Sequence, residues 1–291
     1  MPQALTADEI TAFHENGYHA PLRVMSETQA LHYRGCLERF TARYPDDLNK
    51  LDQGASLLCP WVDEFIRLPN LLDAMADLIG PDILCWGVTL RQKQPDAKTF
   101  AGWHQDTAYS DIKPIVVIAA LALSDASIES GGVRVIPGSH KWDTLPHKEY
   151  FGTANMLSRE QIIDADLDAM DAVELPLRAG EAALFNNAIC HASGPNLSDD
   201  TRIIFIIEMI PTHAYQHEPR ESAMLVRGLD AHHNFDVDPR PESEMSPAAL
   251  DAWRRKIEIQ ASVLYRGAGH GTRAFRQGHH YTIQHCPSRS R

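Results

Sequence analysis

The 291-residue sequence lacks paired cysteines: its five (Cys36, Cys59, Cys85, Cys190, Cys286) are odd in number and share no short spacing. That argues against a disulfide framework and against a structural zinc site. It has no apolar run of membrane-spanning length, and Met1-Pro2-Gln3-Ala4-Leu5-Thr6 does not begin a basic-then-apolar leader. A cytoplasmic protein is expected. Positive charge is scarce, with 27 Lys and Arg against 39 Asp and Glu, a net charge of −12. This disfavours nucleic acid or an anionic membrane as partner and leaves a small molecule. Internal repeats and low-complexity segments are missing as well, and nothing in the sequence specifies an oligomeric state.

What is present is an ordinary globular composition, 44% hydrophobic and 23% charged, ample for a sizeable core. One domain is expected over 1–291. Residues 1–81 read as helical. Thr6 and Glu9 are spaced as a capping box, Gly17 suits that helix's end, and Ser26-Glu27-Thr28 opens a longer helix. Residues 45–58 are polar and read as a loop that lies over the site. Trp61 to Ile66 and Leu71 to Gly80 read as helices. The segment from about 82 to 212 carries short strand-like runs at 82–94, 115–123, 133–136, 181–185 and 202–209, separated by Gly and Pro turns. Mainly β structure with flanking helices is therefore expected, as a barrel with its ligands at the mouth. Two long connections, 139–174 and 214–246, exceed ordinary lengths and are expected to carry substrate-specific surface. Ser158-Arg159-Glu160 is spaced to cap a short helix in the first. A helix from Pro247 and a tail holding five arginines and no carboxylate close the chain at 246–291.

The chemistry is expected around Trp103-His104-Gln105-Asp106-Thr107. On a strand the side chains of His104 and Asp106 point the same way. Two imidazoles and a carboxylate on one face of octahedral Fe(II) leave the opposite face open, and His191 is the candidate third ligand. Read singly, each residue also has a structural explanation: a surface strand pair, a hydrogen-bonded buried imidazole.

The runs Trp103-His104-Gln105-Asp106, Gly131-Gly132-Val133-Arg134-Val135-Ile136-Pro137-Gly138-Ser139-His140 and His191-Ala192-Ser193-Gly194-Pro195-Asn196 with Arg202 resemble the phytanoyl-CoA dioxygenase family of Fe(II)/2-oxoglutarate oxygenases. The resemblance implies a double-stranded β-helix, a jelly-roll of cupin type, with His104, Asp106 and His191 as iron ligands. It implies that Arg202 grips the far carboxylate of 2-oxoglutarate, as a planar, always-charged guanidinium is suited to do. Ser193 would be a second contact. Lys93 faces either solvent or the cavity, and in the latter orientation joins the cofactor contacts. The implied activity consumes 2-oxoglutarate and O2 and hydroxylates a C–H bond of a small or medium-sized metabolite. Desaturation, cyclisation or epimerisation with the same cofactors is the alternative, and a non-catalytic metabolite-binding barrel is the alternative of another class. Related halogenases carry a small residue at the carboxylate position, so Asp106 argues against halogenation. By strand position Tyr109, Lys113, Arg134, Asn186 and Glu208 are expected near the substrate. The remaining histidines, including His140, His147, His213, His217 and the His232-His233 pair, are expected to be structural or solvent-facing.

Overall fold

The computed structural model describes residues 3–150, 154–157, 161–217 and 219–264. The expected cap at Ser158-Arg159-Glu160 and the arginine-rich tail lie outside them. Helix α1 (Ala7–Asn16) starts at the expected capping box, with Thr6 and Glu9 satisfying each other's backbone N–H, and α2 (Glu27–Arg43) has the same arrangement between Ser26 and Gln29. Between them runs a strand the sequence reading omits, β1 (Tyr18–Arg23). It contains Pro21, which is tolerated because β1 is an edge strand. The expected loop at 45–58 is instead a 3-10 turn (Leu48–Asp52) followed by α3 (Ala55–Leu58). The reason is burial, since Leu51 and Ala55 through Cys59 are enclosed and their backbone groups must be paired. Helices α4 (Pro60–Phe65) and α5 (Pro69–Ile79) follow, each with proline in its first turn.

Two sheets face each other behind these helices. The larger is assembled from β2 (Ile83–Lys93), β4 (Val117–Ala122), β9 (Glu181–Asn186), β11 (Arg202–Pro211) and β12 (Ser222–Arg227), edged by β1 and by β13 (Asp236–Val237), in the order β1-β9-β4-β11-β2-β12-β13. The smaller contains β3 (Ala101–His104), β5 (Val133–Val135), β8 (Val173–Leu175) and β10 (His191–Ser193), in the order β3-β10-β5-β8. Every pairing is antiparallel except that of β12 with β13. This is the jelly-roll architecture of the double-stranded β-helix. The connection after β5 holds a hairpin, β6 (His147–Glu149) with β7 (Gln161–Ile163), and the last helix is α6 (Pro247–Leu264).

Period-two alternation sorts the larger sheet into two faces. On β11, Ile203, Phe205, Ile207 and Met209 join the cluster that packs under the helices. Phe205 is fully buried there, its ring 5.0 Å from Phe65 and 5.8 Å from Trp61. Ile204 and Ile210 point the other way, into the cluster between the sheets with Ile118, Ala120, Phe185, Val133 and Val135. Arg202 and Glu208 share that inward parity. On β2 the alternation is reset by a bulge, where Glu208 pairs with Gly87 but Met209 with Cys85. Upstream of it Leu84 is inward, and downstream Thr89, Arg91 and Lys93 are.

Candidate active site

The triad is assembled across one strand pair. In the β3–β10 register His191 lies directly opposite His104, with ring centroids 4.0 Å apart. The expected extended His-x-Asp geometry holds only to His104. The strand ends there and Asp106 opens a 3-10 turn, its N–H donating to Asn187 O at 2.9 Å. The turn still brings the carboxylate between the imidazoles, with Asp106 Oδ1 3.5 Å from His104 Nε2 and Oδ2 3.7 Å from His191 Nε2. Gln105 is fully buried between the two ligands; it donates from Nε2 to Ala188 O and accepts from Leu145 N–H, both at 2.8 Å. That fixes the turn on both sides.

Each imidazole places Nδ1 against a carbonyl two residues earlier, His104 on Gly102 O at 2.8 Å and His191 on Ile189 O at 3.1 Å. A carbonyl can only accept, so Nδ1 carries the proton and Nε2 presents its lone pair. Two such nitrogens and a carboxylate oxygen, all within 4.8 Å of one another, form an acceptor-only face, and a cation satisfies it. Burial, reinforced by His191, holds the His104 pKa well below the usual histidine range, as a neutral ligand requires, whereas burial raises that of Asp106. Among the described residues this is the one group of three or more such side chains arranged to hold a metal ion.

A cavity of about 210 Å³ opens from the triad between the sheets. Arg202 lines it while only 3% exposed, and its Nε and Nη2 are buried with no hydrogen-bond partner among the described residues. Burial, then Arg91, lowers its pKa to about 10. Lys93 is the neighbour of Arg202 in the β2–β11 register and is fully buried. Its Nζ donates to Ser193 Oγ at 2.7 Å, to Gly131 O at 3.4 Å and to Gly194 O. Gly131, at φ +74°, is required for this cage, because a Cβ there would strike the carbonyls of Gly194 and Pro195. Burial and the adjacent Arg202 depress the Lys93 pKa to about 6. Arg91 and Arg202 both line the cavity with no ion-pairing carboxylate among the described residues, and make a pocket for an anion with more than one charge.

The structure brings His104, Asp106, His191, Ser193, Arg202, Tyr109 and Glu208 around one cavity, with Lys93 bonded behind Ser193. It does not bring Lys113, Arg134 or Asn186 there. Lys113 is exposed in a bridge to Tyr215. Arg134 faces outward because its neighbours Val133 and Val135 fill the inter-sheet core; it stacks 4.6 Å over Trp103 and donates to Asp168 at 3.0 Å. Asn186 is one residue past inward-facing Phe185, and its Oδ1 accepts from Ala188 N–H, while Asn187 takes the cavity position. Residues missed by sequence reasoning are Arg91, Thr89, Trp86 and Glu221. Stepping back by two from Lys93 finds Arg91 and Thr89, whereas the bulge at Gly87 hides Trp86. The two long connections do contribute, through Met156 and Leu157 and through Glu221, and Gln53 and Gly54 of the 45–58 segment also line the cavity.

Fold and site together define a jelly-roll protein with a two-histidine, one-carboxylate facial triad beside a buried arginine. The chain belongs to the phytanoyl-CoA dioxygenase family, whose family model matches residues 2–204. It is similar to the peroxisomal phytanoyl-CoA dioxygenase of Bos taurus, 30% identical over 69% of this chain and 56% of that one. It is also similar to a probable alpha-ketoglutarate-dependent hypophosphite dioxygenase of Stutzerimonas stutzeri, 26% identical over 74% and 70%. The chain spans about half the length of the first curated relatives it matches, 48% and 56%. Among solved structures, the non-heme monooxygenase ThoJ in its apo form superposes with a TM-score of 0.80 at 27% identity, covering 89% of this chain and 98% of that one. No helix among the described residues is long and apolar enough to cross a membrane.

Proposed function

We propose that this protein is an Fe(II)/2-oxoglutarate-dependent dioxygenase that hydroxylates an unactivated C–H bond of a small or medium-sized metabolite. The observation that carries the reading is the coexistence, in one cavity, of an acceptor-only triad and a buried arginine with unmet donors. His104 Nε2, His191 Nε2 and an Asp106 oxygen would hold the metal, and Arg202 with Ser193 would hold the far carboxylate of the co-substrate. Lys93 lies close enough to Ser193 to orient its hydroxyl. Bound Fe(II), with 2-oxoglutarate and O2, supplies an oxidation coupled to decarboxylation to succinate and carbon dioxide. The chain's own part is placement and exclusion of water. Gly102 O and Ile189 O fix the imidazole tautomers, Gln105 locks the ligand turn, and the apolar wall of Val116, Phe185 and Ile206 keeps the cavity dry on one side. The S. stutzeri relative is named for its dependence on alpha-ketoglutarate, and ThoJ is known as a nickel complex as well as apo. Both support the assignment. The acidic balance supports a small-molecule partner over nucleic acid or membrane, and the four unpaired, buried cysteines among the described residues support a cytoplasmic location.

Anaerobic titration with Fe(II) and then 2-oxoglutarate tests this. The visible charge-transfer band of keto-acid chelation is expected in the wild type and weakened in Arg202→Ala. Folded, metal-loaded protein that never develops the band would overturn the reading.

A further inference from the structure

The end of the cavity away from Arg202 is built differently from the end that holds the co-substrate. On β11 Glu208 shares the inward parity of Arg202 six residues on, about 20 Å along the strand. Across the β2–β11 pair, Arg202 faces Lys93 while Glu208 faces Gly87. The Glu208 carboxylate lies over the bare Cα of Gly87, where a Cβ would collide with Oε2. Beside it Trp86 donates from Nε1 to Glu221 Oε2 at 2.8 Å, and Gln216 donates from Nε2 to Glu221 Oε1 at 2.7 Å. Glu221 is thus a fully partnered wall, only 1% exposed. Glu208 differs: it lines the cavity and has no ion pair among the described residues, the nearby cations there being engaged or offset. Lys256 is paired with Asp238 at 2.7 Å, and Arg91 pairs in register with Ile204, four residues up the strand.

Charge counting sharpens the contrast. A divalent metal and dianionic 2-oxoglutarate cancel, leaving Arg91 and Arg202 against Asp106, Glu208 and Glu221. The loaded cavity then lacks one positive charge. In the metal-free protein burial and then Asp106 raise the Glu208 pKa to about 8.

We infer that the primary substrate carries a cationic group, an ammonium, guanidinium or imidazolium, and that Glu208 receives it at the end of the cavity remote from Arg202. This rests on the oxygenase reading for the identity of the loaded state but not for the recognition itself. Glu208 is a specificity-determining residue here. Gly87 leaves room for its carboxylate, and Trp86 with Glu221 supplies a rigid, negatively polarised wall.

The test uses matched probes on the full-length protein loaded anaerobically with Fe(II) and 2-oxoglutarate. Isothermal calorimetry compares n-butylguanidinium with isosteric n-butylurea, and n-butylammonium with n-butanol. The cations are expected to bind at least about tenfold tighter, the scale of one charge-assisted hydrogen bond. Glu208→Gln should remove that preference while keeping the charge-transfer band. Glu208→Lys should reverse it in favour of butyrate, which guards against a fold-related loss in the first variant. Equal binding of cation and neutral probe, no binding of either to the wild type, or a cation preference that survives in Glu208→Gln would overturn the inference. The band reports the oxygenase reading separately. Cation preference without a band would leave the recognition site standing and remove the chemistry, and a band without preference would do the opposite.

Discussion

The two faces of the larger sheet are written in one sequence and do opposite things. Outward, β11 offers Ile203, Phe205, Ile207 and Met209 to the helices, an unbroken apolar row. Inward, the same strand interrupts Ile204, Ile206 and Ile210 with Arg202 and Glu208, and β2 adds Arg91 and Lys93. The outward row is stabilising by burial and carries no chemistry. The inward row tolerates unpaired buried charge, which is costly, and the cost marks it as a binding surface. If this division is right, substitutions on one face should move stability and those on the other should move binding.

The sharpest break is at the triad. Asp106→Ala leaves two imidazoles and no carboxylate, so hydroxylation, followed by product analysis, should be abolished. The fold should be retained, because Asp106 sits on a turn whose backbone bond to Asn187 does not need the side chain. Full activity in that variant would remove the triad from consideration. On the outward face, Phe205→Ala should cost about 3–5 kcal/mol in denaturant unfolding, through loss of its packing on Phe65 and Trp61. Any remaining folded fraction should bind 2-oxoglutarate normally. A loss of cofactor affinity without loss of stability there would mean that the two faces are coupled.

Arg202 comes next. Arg202→Lys keeps the charge but not the planar pair of donors, and 2-oxoglutarate affinity should fall roughly tenfold to a hundredfold by band titration, on the scale of one or two charge-assisted hydrogen bonds. Because the guanidinium is buried with Nε and Nη2 unpartnered among the described residues, the metal-free variant should be no less stable than the wild type. A marked loss of stability would show that Arg202 is structural.

Glu208 gives a smaller effect with a defined sign. Its folded pKa, about 8, lies above the ordinary value of 4.5, so between those values the folded state keeps a proton that the unfolded chain has released. Stability of the metal-free protein should therefore be greatest below about pH 4.5 as far as this group is concerned, and decline as pH rises to about 8. Glu208→Gln should remove that component of the slope between pH 5 and 8, and an unchanged slope would show that the carboxyl is hydrated and titrates normally.

How much of this was legible depends on whether neighbours in sequence are neighbours in space. His104 and Asp106 are two residues apart, so their pairing survives even though the strand stops at His104 and a 3-10 turn takes over. The helix caps at Thr6 and Ser26 are equally local. Residues 45–58 misread as loop because Leu51 and Leu57 are widely spaced among polar residues, and only the packing of α3 on α6 shows why they are buried. The acidic end of the cavity is the least legible part. Trp86 lies on β2 and Glu221 in the connection just before β12, and the bulge at Gly87 resets which β2 side chains face inward. Parity cannot be carried through a bulge that nothing in the local sequence announces.

Arg134 sharpens the comparison by having almost no effect. Strand position predicts it near the substrate, yet Val133 and Val135 own the inward positions and the guanidinium lies outside on Trp103 and Asp168. Stacking on an aromatic face at a partly exposed site is worth about 0.5–1 kcal/mol, and the ion pair with exposed Asp168 adds little. Arg134→Ala should thus lower stability by no more than about 1 kcal/mol and leave the 2-oxoglutarate titration and the cation preference unchanged. If this one substitution weakened probe binding as much as those at Glu208, the smaller sheet would be shown to turn an outward residue into the cavity on loading, and the division between the faces would fail for β5.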